Sequence, residues 1–392
     1  MNALDLILLA FLIFGLVRGF WRGLFIEIAL LIALVADGYG AKYYQYNAQN
    51  SATVQRIQQN IYQFSAAKTY QQLAEYNSYL VDENGKERSF NDFKQLVLEK
   101  HPKYNQNYLQ AEYQTAKASG QMAAKWEGFQ RNKERYPYLK YMTVGDEHVR
   151  DDHKDLHGFI AHIDDPIWNR IYPPNDWRCR CYVVQTNQDP SKEVPDLSFM
   201  KPEFSVNVGK TGTVFNEKAH PYYVIPKKDE QRVKVAFESM KLRLAYGKAR
   251  YTSPSGSKVF VHPFADVKDL YENYINAVNI ANTLKRNVKL RPHLDGLIMK
   301  NIKNPEYLIN NKIAERKAPK GLNFRNVFNK AIKQGSEVVV MDLIDNPKPY
   351  KEVKETIVKQ LSRQDRFPTI KEVILISKDR KTIESIKRSA LK

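Results

Sequence analysis

Cysteine is nearly absent: Cys179 and Cys181 are the two that occur in 392 residues. That excludes a disulfide scaffold, and the two lie too close in sequence for an ordinary bridge to each other. Internal repeats, a glycine-rich loop able to cradle phosphate, and any Ser-His-Asp arrangement are also missing. Solenoids, P-loop nucleotide enzymes and serine hydrolases therefore have no support. Long apolar runs are confined to residues 4–17 and 24–35, separated by Arg18-Gly19-Phe20-Trp21-Arg22-Gly23. Each is shorter than the roughly 20 residues that span a bilayer. Two readings stay open, one kinked span or a short re-entrant helical hairpin with the basic Arg-Gly pairs on the cytoplasmic side. A cleavable signal peptide is disfavoured, because Asp5 precedes the run and no early Lys or Arg does.

Acidic side chains are also in short supply. The chain has 43 Asp and Glu against 61 Lys and Arg, a formal net charge of +18. Residues 281–392 hold 26 Lys and Arg against 12 Asp and Glu, and so supply most of that excess. A basic C-terminal domain is the electrostatic footprint of a polyanion binder. Lys289, Arg291, Arg316, Lys320, Arg325 and Lys330 are the candidate nucleic-acid contacts.

The most informative stretch is 304–317, Asn-Pro-Glu-Tyr-Leu-Ile-Asn-Asn-Lys-Ile-Ala-Glu-Arg-Lys. Asn310 and Asn311 tolerate positive φ and suit a two-residue hairpin turn. That turn pairs Ile309 with Lys312, Leu308 with Ile313 and, further out, Glu306 with Glu315. Two carboxylates then face each other at roughly 5 Å between Cβ atoms, which is unfavourable unless a cation or a shared proton relieves them. Lys317, two residues past Glu315, projects from the same face. Acids that hold Mg2+, with a lysine on the phosphate, are what metal-assisted phosphodiester hydrolysis requires. Asp295 is a further candidate ligand. A metal-free alternative stays open, in which a 2′-hydroxyl attacks, Glu315 is the base, and Lys317, Arg316 and His293 act on the phosphate.

The surroundings predict an α+β domain. A helix is expected over 271–286, a strand over 288–290 and a turn at Asp295-Gly296. A helix over 324–333 capped by Gly335, a buried strand over 337–343, a helix over 351–361, a strand over 372–377 and a helix over 381–392 follow. The order α, β, β, β, α, β resembles the core of PD-(D/E)XK nucleases, and Asn304-Pro305-Glu306…Glu315-Arg316-Lys317 looks like that family's two-part motif. Glu306 stands where Asp is usual. Residues 251–350 are similar to the C-terminal tRNase toxin domains of CdiA-type contact-dependent inhibition proteins, and equally to Barnase/EndoU/colicin/RelE-type nucleases. The resemblance implies a tRNA-cleaving toxin with an immunity protein as partner.

The middle of the chain carries a second constellation. Gly145-Asp146, Arg150, His153, His157-Gly158, Asp165-Pro166-Ile167-Trp168, Tyr172-Pro173-Pro174 and Trp177-Arg178-Cys179-Arg180-Cys181 follow one another in order. This run is similar to phage Mu F-like minor head, or head morphogenesis, proteins. The resemblance implies portal and capsid partners and association with a virion. On one helix face His153 and His157 could share a metal, and Cys179 and Cys181 could complete a tetrahedral Zn2+ site. At the N-terminus, Leu4-Asp5…Arg18-Gly19-Phe20…Arg22-Gly23-Leu24…Glu27-Ile28-Ala29 resembles the start of CvpA-like membrane proteins, which implies membrane attachment.

The expected organisation is a multidomain chain. Apolar N-terminal helices occupy 1–40, a mostly α Mu F-like region 52–190, a linker with short strands 191–250, and a basic α+β nuclease-like domain 251–392. The expected function is a phage-type head protein with a C-terminal nuclease. The alternative is a non-enzymatic head protein whose basic tail binds DNA by charge.

Overall fold

The computed structural model describes residues 46–102, 108–363 and 365–391. The apolar segment expected over 1–40 lies outside the described residues. Within them, no helix is long and apolar enough to cross a membrane. Arg56–Pro226 forms one compact unit, and Tyr46–Gln55 with Lys227–Lys392 forms a second.

The first unit contains helices α1 (Ser51–Ser78), α2 (Phe90–Pro102) and α3 (Leu109–Arg131), with shorter α4 (Asp151–Lys154), α5 (Trp168–Ile171) and α6 (Val208–Thr211). Strands β1 (Tyr138–Met142), β2 (Ile160–His162) and β3 (Tyr182–Thr186) form an antiparallel sheet in the order β2-β1-β3. Its core follows the two periods. Ile57, Ile61 and Phe64 line one face of α1, and Ala116, Met122, Ala123 and Trp126 one face of α3. Leu139 and Tyr141, two apart on β1, are fully buried against them. Gly209 on α6 lets the backbone reach α3, since a Cβ there would lie 2.2 Å from the Trp126 Cβ. Asn60 ties the chain down from α1, accepting from Val214 N and Phe215 N at 2.8 Å each and donating to Phe215 O at 2.9 Å.

The second unit is built on an eight-stranded sheet. After α7 (Lys227–Lys241) come β4 (Tyr251–Thr252), β5 (Lys258–Val261), α8 (Leu270–Thr283), β6 (Val288–Leu290), β7 (Tyr307–Ile309) and β8 (Lys312–Lys317). They are followed by α9 (Arg325–Lys333), β9 (Val338–Asp342), α10 (Tyr350–Leu361), β10 (Glu372–Ile376) and β11 (Ile383–Lys387). Spatial order equals chain order reversed, β11 through β4. The β5–β6, β8–β9 and β9–β10 pairs are parallel, with α8, α9 and α10 as their crossovers, and the rest are antiparallel. Leu270, Tyr274, Ala277 and Ile280 of α8 pack on one face of the sheet. Phe328 of α9 with Val353, Ile357 and Leu361 of α10 packs on the other. The three layers and the α8-β6-β7-β8-α9-β9 order match the expected α+β core.

Two expectations are corrected. The helix expected over 381–392 is instead strand β11, antiparallel to β10. Ile383 and Ile386 are three apart, as on a helix, but the open edge of β10 offers a row of ladder partners that an isolated helix lacks. In place of the short strands expected in the linker over 191–250 stand α6, a 3-10 turn at Pro221–Tyr223 and the start of α7. Pro221 cannot donate to a ladder, and Asn207 caps α6 by accepting from Lys210 N. The cap expected at Gly335 is present: φ is +73°, with Gly335 N on Ile332 O at 2.8 Å and Ser336 N on Ala331 O at 3.1 Å.

Candidate functional site

Positive φ at Asn310 (46°) and Asn311 (66°) makes the two-residue turn between β7 and β8. The register that follows is Ile309 with Lys312, Leu308 with Ile313 and Tyr307 with Ala314. One step outward it brings Glu306 opposite Glu315. On the other side, Leu290 pairs with Tyr307, and Arg291 N donates to Glu306 O at 2.8 Å. Arg291, Glu306 and Glu315 therefore form a row across β6, β7 and β8. The row continues as Val339, Val373 and Ile386, so the charges begin where the helix-covered apolar half of that face ends. Lys317, opposite Met341, shares the face.

Glu315 is 2 % exposed. Its Oε1 accepts from Lys317 Nζ, while its Oε2 is buried with no hydrogen-bond partner. Burial, together with the closeness and charge of the Glu306 carboxylate, pushes the Glu315 carboxyl up to about 8, against the pull of Lys317. Glu306 is half-buried and takes Arg316 N on Oε2 at 2.9 Å. Burial lowers the Arg291 guanidinium from its ordinary value, and Glu315 supports its charge. Two acids crowded together, a lysine, a half-buried arginine and one acceptor oxygen without a donor can hold a proton near neutrality or bind a hard cation.

The remaining candidates divide. Lys289 has its Nζ 5.6 Å from the Tyr246 ring centroid, on the acid face. Lys320, Arg325 and Lys330 are exposed, the last two on α9. Arg316 is corrected: strand alternation turns it to the α8 face, where it donates to Asp342 Oδ2 from Nη2 at 2.9 Å and Nε at 3.2 Å. It is not available to a phosphate on the acid face. Asp295 is occupied in a turn, its Oδ1 accepting from Leu297 N at 2.8 Å and its N–H donating to Glu238 Oε2 at 3.0 Å. His293 Nδ1 lies 3.6 Å from Asp266 Oδ2. No described contact brings either to the acids.

A charged cluster that the sequence did not reveal as such lies on the opposite face. Asp342, fully buried at the end of β9, accepts from Asn276 Nδ2 at 2.7 Å and from Arg316. Arg380 Nη2 lies 3.6 Å from the same oxygen and donates to Glu272. The available signal was a lone acid closing the apolar run Val338-Val339-Val340-Met341-Asp342.

In the first unit, three of the four proposed metal ligands converge. The Cys179 and Cys181 sulfurs lie 3.7 and 3.6 Å from His153 Nδ1, and all three residues are buried. His157 is not among them. α4 ends at Lys154, so no shared helix face exists, and the His157 Nδ1 accepts from Thr143 N at 3.2 Å and lies 2.8 Å from Thr143 Oγ1.

Comparison with known proteins divides the chain in the same way. Residues 47–184 match the family model for Phage Mu protein F like protein. Residues 303–382 match that for the Contact-dependent growth inhibition CdiA C-terminal domain. The Mu-like prophage FluMu F protein of Haemophilus influenzae is 45% identical over 69 residues, 18% of this chain and 17% of that protein. The putative capsid assembly protein F of Escherichia phage Mu is 41% identical over 59 residues, 15% of this chain and 13% of that protein. The matched stretch thus spans less than a fifth of either relative. A solved CdiA-CT/CdiI toxin and immunity complex from Burkholderia pseudomallei is 26% identical, covering 32% of this chain and 91% of that chain, with a TM-score of 0.24. The chain carries a Mu F-like region and a CdiA C-terminal toxin-like domain.

Proposed function

We propose that this is a two-part phage-type protein, in which the Mu F-like region joins a virion head and the C-terminal unit is a nuclease that cleaves RNA, tRNA foremost. The first half of this reading rests on the likeness to head and capsid-assembly F proteins. The second rests on the toxin-family match and on one observation above all. Glu306 and Glu315 crowd each other beside Lys317, with a Glu315 oxygen buried and unpartnered.

Mg2+ fits this donor set, because hard carboxylate oxygens suit it and the unpartnered Glu315 Oε2 gives it a ligand. Glu315 and Glu306 would hold it, and when bound it would supply an activated water and charge neutralisation at the phosphate. The chain's own groups do the rest. Lys317 and Arg291 neutralise the phosphate on the acid face. Lys289, Lys320, Arg325 and Lys330 attract the polyanion. A second reading needs no metal, and the Glu315 carboxyl near 8 favours it. A carboxyl near the working pH can take a proton from a 2′-hydroxyl and later return it. In both readings the producing cell needs a neutralising partner, and an acidic immunity protein covering the acid–lysine face is the expected one. Portal or capsid proteins are the expected partners of the Mu F-like region.

The test is to incubate the full chain with total tRNA and with duplex DNA, with Mg2+ and with EDTA. Cleavage of tRNA supports the nuclease, and persistence of RNA-only cleavage in EDTA selects the metal-free reading. Intact tRNA under both conditions, with binding that weakens steeply as salt rises, would instead favour a structural head protein with a charged tail.

A further inference from the structure

We infer that the Mu F-like unit binds one Zn2+ through His153 Nδ1, Cys179 Sγ and Cys181 Sγ, as a structural staple independent of the nuclease reading. The first argument is distance. Tetrahedral zinc with Zn–S of about 2.3 Å and Zn–N of about 2.0–2.1 Å separates a sulfur from a nitrogen by about 3.6 Å. The two observed separations are 3.7 and 3.6 Å, and all three donor atoms lie within 4.8 Å of one another.

The second argument is hydrogen-bond satisfaction. A single imidazole nitrogen can pair with one thiol proton, yet two sulfurs sit on it at nearly equal distance. A cation centred among the three donors accounts for that near-equal spacing. The third is charge. Asp152, adjacent to His153 in the chain, has a buried carboxylate oxygen, Oδ1, with no hydrogen-bond partner. That oxygen has no donor among the described residues, and a cation at the neighbouring His153 would lower the cost of burying it. His153, Cys179 and Cys181 are 3, 4 and 7 % exposed, and a tetrahedral ion held by these three donors keeps its fourth position for a water.

The ligands come from different parts of the chain. His153 belongs to α4, and the cysteines lie 26 and 28 residues later, just before β3. Metal would fasten the connection between β1 and β2 to the entry of β3, around Tyr141 and Trp168 in the core. Structural zinc contributes folding free energy in this way.

The experiment measures zinc on the purified full chain by mass spectrometry of the metal, with thiol titration before and after chelation. One zinc per chain is expected, with both thiols protected until chelator releases it. Cobalt(II) replacement is expected to give thiolate charge-transfer absorption. Cys179→Ser and His153→Ala should lose the metal and lower the thermal midpoint of the Mu F-like unit. His157→Ala should keep the metal and serves as the folded control. Wild-type chain with no zinc and two freely titrating thiols would overturn the inference, as would a Cys179–Cys181 disulfide. If His157→Ala loses zinc as fully as His153→Ala, the three-ligand set is wrong. The wild-type measurements stand even where a variant fails to fold.

Discussion

The two faces of strand β8 carry buried charge in opposite ways. On the α8 face, Asp342 is enclosed by Arg316, Arg380 and Asn276, so each charge meets its complement. On the other face Glu315 meets a second acid, shares one oxygen with Lys317 and leaves the other without a donor. Adjacent residues of one strand, Arg316 and Glu315, thus take part in a charge-compensated network and in one where two acids meet. The difference teaches where to look for chemistry. Compensated buried charge holds a fold together, whereas like charges forced side by side point to a proton, a cation or a substrate that completes them.

The largest expected effect breaks the compensated face. Asp342→Ala leaves the partly buried Arg316 and Arg380 with Glu272 as their remaining acid and should cost about 3–5 kcal/mol of stability in the second unit. Chemical denaturation checks this. An effect near zero would mean the α8-face network is as incomplete as the other.

A smaller free-energy effect, read in activity rather than stability, comes from the acid face. Lys317→Ala should slow RNA cleavage by on the order of 10²–10³-fold, as loss of one charge-stabilising donor does, while the thermal midpoint stays close to wild type. Single-turnover kinetics would separate the two.

The last prediction concerns pH dependence. The folded state raises Glu315 from 4.5 to about 8, so it holds that proton more tightly than the unfolded chain. This contribution to stability is fully present below 4.5 and is lost as pH rises toward about 8. Glu315→Gln, which cannot ionise, should be the more stable protein by a margin that grows across that window. Melting curves over the same pH range measure it, and a constant margin would remove the buried-acid premise.

Much of the acid face could be read in the sequence because it depends on local rules. Asn310-Asn311 fixes the turn, the turn fixes the register, and a period of two assigns Glu306, Glu315 and Lys317 to one side. The same rule assigns Arg316 to the other side, but charge counting grouped it with the nucleic-acid contacts. Asp342 was hidden inside a run whose valines announce a buried strand, because its partners Asn276 and Arg380 are 66 and 38 residues away in sequence. The pairing of β11 with β10 is not encoded in the period of residues 381–392, which is why a helix is expected there. His157 was placed with His153 by helical spacing, yet α4 ends before reaching it. For Asp342 and β11 a contact distant in sequence overrides a local pattern, whereas Arg316 and His157 turn on local geometry.

The central claim is that the crowded carboxylate pair is a reaction centre rather than a fault in the fold. The most direct measurement is cleavage of total tRNA by wild type and by Glu315→Gln, both as full chains shown to be folded by circular dichroism. The account predicts cleavage by wild type and its loss in a variant at least as stable. Equal cleavage by the two proteins would contradict it.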